Sequence, residues 1–191
     1  LISFRIGGTA VRISFSFLAF NALLFLMRSG GEIFAFYTAC AVHEAGHIAV
    51  LALTGSRVAA VELSAAGIVM ETEKSSLSSL RKGLAVLAAG PAAGLLMFAA
   101  LRAAGCGGSF PILNLMAAAY NMLPYRCLDG GAMIALLTLG SVHERALGLL
   151  LTALKLLITA AAGAAVYLLG REALPLLFGA SVLLICDSVK S

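Results

Sequence analysis

Charge is what this 191-residue chain has least of: 12% of its residues are Asp, Glu, Lys or Arg, while 61% are hydrophobic. A soluble domain averages about 25% charged and about 45–50% apolar. At a mean hydropathy of +1.04, too little polar surface remains to cover a water-soluble globule of this size. That scarcity excludes soluble enzymes, nucleic-acid binders and disordered tails, and sets the chain against a lipid bilayer. The basic surplus, 13 Lys and Arg against 9 Asp and Glu, reads as loops held on the cytoplasmic side, not as a nucleic-acid footprint.

Other absences narrow the class further. Cys40, Cys106, Cys127 and Cys186 form no C-x-x-C pair. They read as small apolar residues within helices, not as a disulfide framework or a zinc knuckle. The sequence has neither a repeat of about 20–50 residues nor a low-complexity tract. The first apolar run follows a strand-like stretch and has no small-residue cleavage site, so no cleavable signal peptide is apparent.

What is present is a series of apolar runs. A crossing helix needs about 17–25 mostly apolar residues. Runs at 14–28, 32–53, 83–101, 110–139, 146–169 and 174–187 meet or approach that length. The first and last are short, and Pro124, Arg126 and Asp129-Gly130-Gly131 break the fourth. Lys155 lies inside the fifth, where it snorkels or faces protein.

Alternating apolar residues on either side of Gly7-Gly8 signal a hairpin before the first run. Val58–Leu63 and Gly67–Glu73 read as two further strands. The expected fold is an all-α polytopic membrane protein, a single domain over 1–191. It has about six transmembrane helices and a small membrane-associated β-sheet. With six crossings and both termini cytoplasmic, the inner side holds Arg5, Arg12, Arg57, Lys74, Arg81, Lys82, Arg145 and Lys190. The outer side holds only Arg28, Arg102 and Arg171, as the positive-inside rule requires.

Ionisable residues inside a span are costly and point to function. His43-Glu44-Ala45-Gly46-His47 places three within about one helical turn. Positions i and i+4 share a helix face, so both imidazoles can reach one metal ion. Glu44, beside the first ligand, can take a proton from an attacking water. This is the zinc-hydrolase pattern H-E-x-x-H; the bland alternative is a pair of core histidines bonded to each other or to carbonyls.

A catalytic zinc needs a third protein ligand. Asp129 is the only Asp in the interior of a membrane run, Asp187 standing at the end of the sixth, and it follows the Pro124 break, where the helix is expected to open. The alternative for Asp129 is a helix cap at the interface. His143 and Glu144 compete for the third position, and Cys40 or Cys127 offers a thiolate. Asn121 is a polar amide in an apolar helix, suited either to stabilising an oxyanion or to a helix–helix hydrogen bond.

The H-E-x-x-H motif in a membrane span is followed by Asn121-Met122-Leu123-Pro124-Tyr125-Arg126-Cys127-Leu128-Asp129-Gly130. Together they resemble the site-2 protease family of intramembrane zinc metalloproteases, whose second motif has the form N-x-x-P-x-x-x-x-D-G. Six spans without a long insertion are most similar to the compact sporulation-protease branch that processes a sigma-factor precursor. The resemblance implies one Zn2+ ion held by His43, His47 and Asp129, with Glu44 as general base and Asn121 positioning substrate or oxyanion. It also implies a sheet that pairs with extended substrate, which maps to the strand region from Val58 to Glu73. Neither a PDZ insert nor a CBS domain is expected in these residues.

The function expected is endopeptidase cleavage of membrane-tethered proteins in the cell membrane of a bacterium. Regulatory membrane proteins are expected partners, and nucleic acid is not. Two rivals remain: a membrane protease with Glu144 as third ligand, and a metal carrier without catalysis.

Overall fold

The computed structural model describes residues 2–6, 8–56, 58–65, 67–72, 79–140, 144–170, 177 and 179–185. The chain divides into two compact units, Leu1–Met122 and Leu123–Ser191.

The first unit opens with the expected hairpin, β1 (Ile2–Ile6) and β2 (Thr9–Ile13). Two helices follow, α1 (Phe15–Met27) and α2 (Gly30–Leu53), then a second antiparallel pair, β3 (Val58–Ser64) and β4 (Gly67–Thr72). The four strands make one sheet in the order β1-β2-β3-β4, with β2 and β3 parallel. Parallel neighbours need a crossover connection, and here α1 and α2 supply it. Thr9 Oγ1 donates to the Val58 carbonyl at 3.1 Å, and Ser14 N–H donates to the Leu63 carbonyl at 2.9 Å. These two bonds tie the ends of β2 to β3.

Arg12 Nη1 lies 3.2 Å from Glu71 Oε1 across the sheet, with both side chains well exposed. Exposed pairs are worth about 0–1 kcal/mol. Glu71→Gln is therefore expected to shift unfolding stability by less than about 1 kcal/mol, read by denaturant titration in detergent.

The helices begin where side chains can satisfy their free N–H groups. Ser14 caps α1. Ser29 and Glu32 form a reciprocal capping box at α2, a device worth about 1 kcal/mol. Ser79 caps α3 (Leu80–Ala103), so this helix starts three residues before the apolar run expected from Gly83 and takes Arg81 and Lys82 into its first turn. α4 (Ser109–Asn121) completes the first unit.

In the second unit α5 (Asp129–Thr138) and α6 (Glu144–Leu169) are the long elements, and residues 179–185 are helical. Its core is Tyr125, Leu128 and Leu183, with Cys127 and Ile158 packed against it. Cys127 packs against the core as a small side chain, but in the segment between α4 and α5 and not within a helix as expected. Lys155 is 6% exposed, and its ammonium lies 5.7 Å from the centroid of the Tyr125 ring. It faces protein and does not snorkel.

Among the described residues, three helices are long and apolar enough to cross a membrane: Gly30–Leu53, Leu80–Ala103 and Ala146–Leu168. α1, at 13 residues, spans about 20 Å, short of a hydrocarbon core of about 30 Å. The run at 110–139 is two helices, separated by residues 122–128. Much of the sixth expected run, including Cys186, lies outside the described residues, as do Glu73 and His143.

Candidate metal centre

α2 carries two functional faces. Counting by four, His43 and His47 lie on one and Glu44 and Ile48 on the adjoining one. Both histidines are buried, at 5% and 8% exposure. Their rings meet edge to face, with centroids 4.8 Å apart. The two Nε2 atoms are 3.1 Å apart.

The orientation of His47 is set from α3. Its Nδ1 lies 2.7 Å from the Val86 carbonyl oxygen. A carbonyl only accepts, so Nδ1 carries the proton, and in the neutral ring Nε2 keeps its lone pair. Zinc–nitrogen bonds are about 2.0–2.1 Å long, so two nitrogens at this separation can bind one ion.

Glycine makes the approach possible. A Cβ on Gly90 would fall 2.3 Å from His47 Nε2 and 2.7 Å from His43 Nε2. Gly46, between the histidines, meets the same helix: its Cβ would lie 2.4 Å from the Ala89 carbonyl oxygen. Two imidazole nitrogens, one with its tautomer fixed, in a cradle that a single methyl would fill, fit a divalent metal ion such as zinc.

The remaining expected residues are placed as follows. Asn121 ends α4 in the same unit. Its Nδ2 donates to the Ala117 carbonyl at 3.0 Å, a bond within its own helix, not one between helices. The amide has a second N–H. In the second unit, the chain leaves helix at 122–128 and re-enters it at Asp129. Leu128 N–H donates to the Tyr125 carbonyl at 2.8 Å. A Cβ on Gly131 would lie 2.1 Å from that same carbonyl oxygen, so the turn closes only over glycine. Asp129 is half-buried at the first position of α5, where the helix dipole favours a negative group.

Two participants were not singled out from the sequence, Val86 and the bare Cα of Gly90. Gly90 and Gly94 are small residues of the third apolar run, of the kind that lets helices pack closely. What they pack against follows only from the crossing of α2 and α3.

No family model matches the chain, and no curated protein matches it by sequence. Among solved structures it is similar to a site-2 protease from Methanocaldococcus jannaschii, with a TM-score of 0.59 and 20% identity. The match covers 94% of this chain and 93% of that one. The arrangement of strands and helices is thus shared over nearly the whole length, and the chain has the fold of a site-2 protease.

Proposed function

We propose that the chain is a zinc-dependent endopeptidase of the site-2 protease family that cleaves membrane-tethered proteins within or near the bilayer. The observation that carries this reading is the pair of Nε2 atoms 3.1 Å apart on the helix that also bears Glu44. The shared fold and the three long apolar helices support it.

His43, His47 and Asp129 would hold the ion, each offering one ligand atom: two imidazole nitrogens and a carboxylate oxygen. Zinc, when bound, supplies Lewis-acid polarisation of the carbonyl and acidifies a water. Glu44 would take the proton of the attacking water and return it to the leaving amine. Asn121 donates its second amide N–H to the carbonyl oxygen as that oxygen gains charge.

A helical substrate hides its carbonyls in its own hydrogen bonds and must be unwound before attack. β4 stands at one end of the strand order, and its outer edge suits pairing with an extended segment. The same reading extends to a multi-pass protein of a bacterial cell membrane with cytoplasmic termini. There it would release a transcription or sigma factor under the control of other membrane proteins.

The test is cleavage of a single-span reporter with and without a chelator, paired with metal analysis of two variants. Asp129→Ala is expected to lose zinc, and Glu144→Ala to retain it. Loss of zinc only in the second would move the third ligand to Glu144, and chelator-resistant cleavage would end the zinc reading.

A further inference from the structure

Glu44 and Ile48 define the second face of α2. It looks onto the sheet across a cavity of about 350 Å³. Ile68 and Met70 of β4 and Val58 and Val61 of β3 form the sheet side of that cavity, with Thr9 of β2 beside them. Ile68 and Met70 are two apart, so they share one face of their strand.

Val58 and Val61 are three apart, and in a regular strand they would face opposite ways. The register explains their agreement. Val58 pairs with Thr72 but Ala60 with Glu71, so β3 carries one extra residue against β4 at this point. Such a bulge shifts the alternation by one residue and turns both valines to the helix side. Thr9 directs its hydroxyl to the Val58 carbonyl. The cavity therefore has aliphatic walls, and Glu44 is among the residues that line it.

We propose that this cavity is a specificity subsite that receives one large apolar side chain of the substrate, from a residue adjoining the scissile bond. The proposal rests on the endopeptidase reading above and names what that site selects. Two features commit it to this occupant. Glu44, the group that must stand next to the cleaved bond, itself lines the cavity, so a neighbouring side chain is within reach. A segment added to the edge of β4 would also send every second side chain to the face that carries Ile68 and Met70.

The volume suits a large residue. A cavity of about 150 Å³ lined by aliphatic groups admits benzene, so 350 Å³ takes a Leu, Met or Phe side chain with room to spare. An acidic side chain meets apolar walls, and alanine leaves the space unfilled.

The experiment uses the full chain in lipid vesicles and a single-span reporter carrying Leu, Ala or Asp at each position flanking the cleaved bond. At one of the two positions Leu is expected to be cleaved about 10-fold faster than Ala or more, with Asp slowest. Filling the cavity by Val61→Phe or Met70→Phe is expected to reverse the Leu-to-Ala ratio. An unchanged ratio in a variant that keeps its zinc overturns the subsite while leaving the endopeptidase reading intact.

A second measurement is independent of turnover. A photoreactive phenylalanine analogue at that reporter position, incubated with zinc-depleted protein, is expected to crosslink to Met70, Ile68 or Ile48. Crosslinks confined elsewhere overturn the subsite. Correct crosslinks without any cleavage by the zinc-loaded chain would instead count against the endopeptidase reading alone.

Discussion

Glu44→Gln is expected to abolish reporter cleavage while leaving one bound zinc per chain. Glutamine keeps the size of glutamate and its hydrogen-bonding oxygen but cannot carry a proton between water and amine. General-base assistance contributes about 10²–10⁴-fold, so the rate should fall by at least that range. The metal should stay, because the proposed ligands on this helix are the imidazoles of His43 and His47 and not Glu44. Atomic emission on the purified variant, alongside the cleavage assay, reads both halves. A variant that retained wild-type turnover would remove Glu44 from the mechanism and favour a metal carrier. One that lost zinc would make Glu44 a ligand.

The second large effect comes from a single methyl group. In Gly90→Ala the new Cβ would sit 2.3 Å from His47 Nε2 and 2.7 Å from His43 Nε2, far inside van der Waals contact. The atoms it meets are the tips of side chains, so the structure can yield by turning the imidazoles away without parting α2 from α3. His47 then loses its bond to Val86, and both nitrogens lose their common focus.

Loss of such an orienting contact typically costs 10–100-fold in metal affinity, and displacement of two ligands together should exceed it. The helix meanwhile gains about 1 kcal/mol from replacing glycine by alanine. The expected phenotype is therefore split: an apo protein, inactive, whose melting temperature without metal is equal to or above that of the metal-free parent. Gly94→Ala is the control. Its Cβ would meet the Asn114 carbonyl at 3.0 Å and Ala118 at 3.4 Å, backbone and side chain of α4, so it should cost about 1–3 kcal/mol through overpacking and leave zinc in place. Wild-type zinc affinity in Gly90→Ala would show that the two imidazoles do not share an ion.

Parts of this arrangement were legible in the sequence because they depend on local spacing. The i, i+4 relation of His43 and His47 is a property of any helix, and the low charge around them marks that helix as buried in lipid or protein. The hairpin around Gly7-Gly8 and the strands at Val58 and Gly67 follow from alternation, and the break after Asn121 follows from proline and paired glycines.

What was not legible depends on contacts between distant elements. The start of α3 at Leu80 reflects the Ser79 cap, which outweighs the two charges of Arg81 and Lys82 in the first turn. The tie from His47 to Val86 spans 39 residues and needs a particular crossing of α2 over α3. The cavity beside Glu44 needs a bulge at Ala59, and one surplus residue between Val58 and Ala60 leaves no mark in an aliphatic stretch. Asn121 was expected to reach a substrate or another helix, yet one of its N–H groups bonds back four residues, a choice that composition cannot foretell.

The parallel pairing of β2 with β3 has a consequence for how the protein is made. The bond from Thr9 to Val58 closes a loop of 49 residues, and the whole of α1 and α2 lies within it. Closure over long loops is entropically slow, and during synthesis the chain emerges in order from its N-terminus. The hairpin β1-β2 can form as soon as it appears, but it must wait, with one edge open, until both helices have been laid down. The sheet wall of the cavity is therefore assembled only after the histidine-bearing helix is in place. A nascent chain interrupted before residue 58 would carry His43, Glu44 and His47 but lack the wall formed by Val58, Val61, Ile68 and Met70. On the proposed reading, completion of the sheet is the event that adds selectivity to the helix bearing the two histidines.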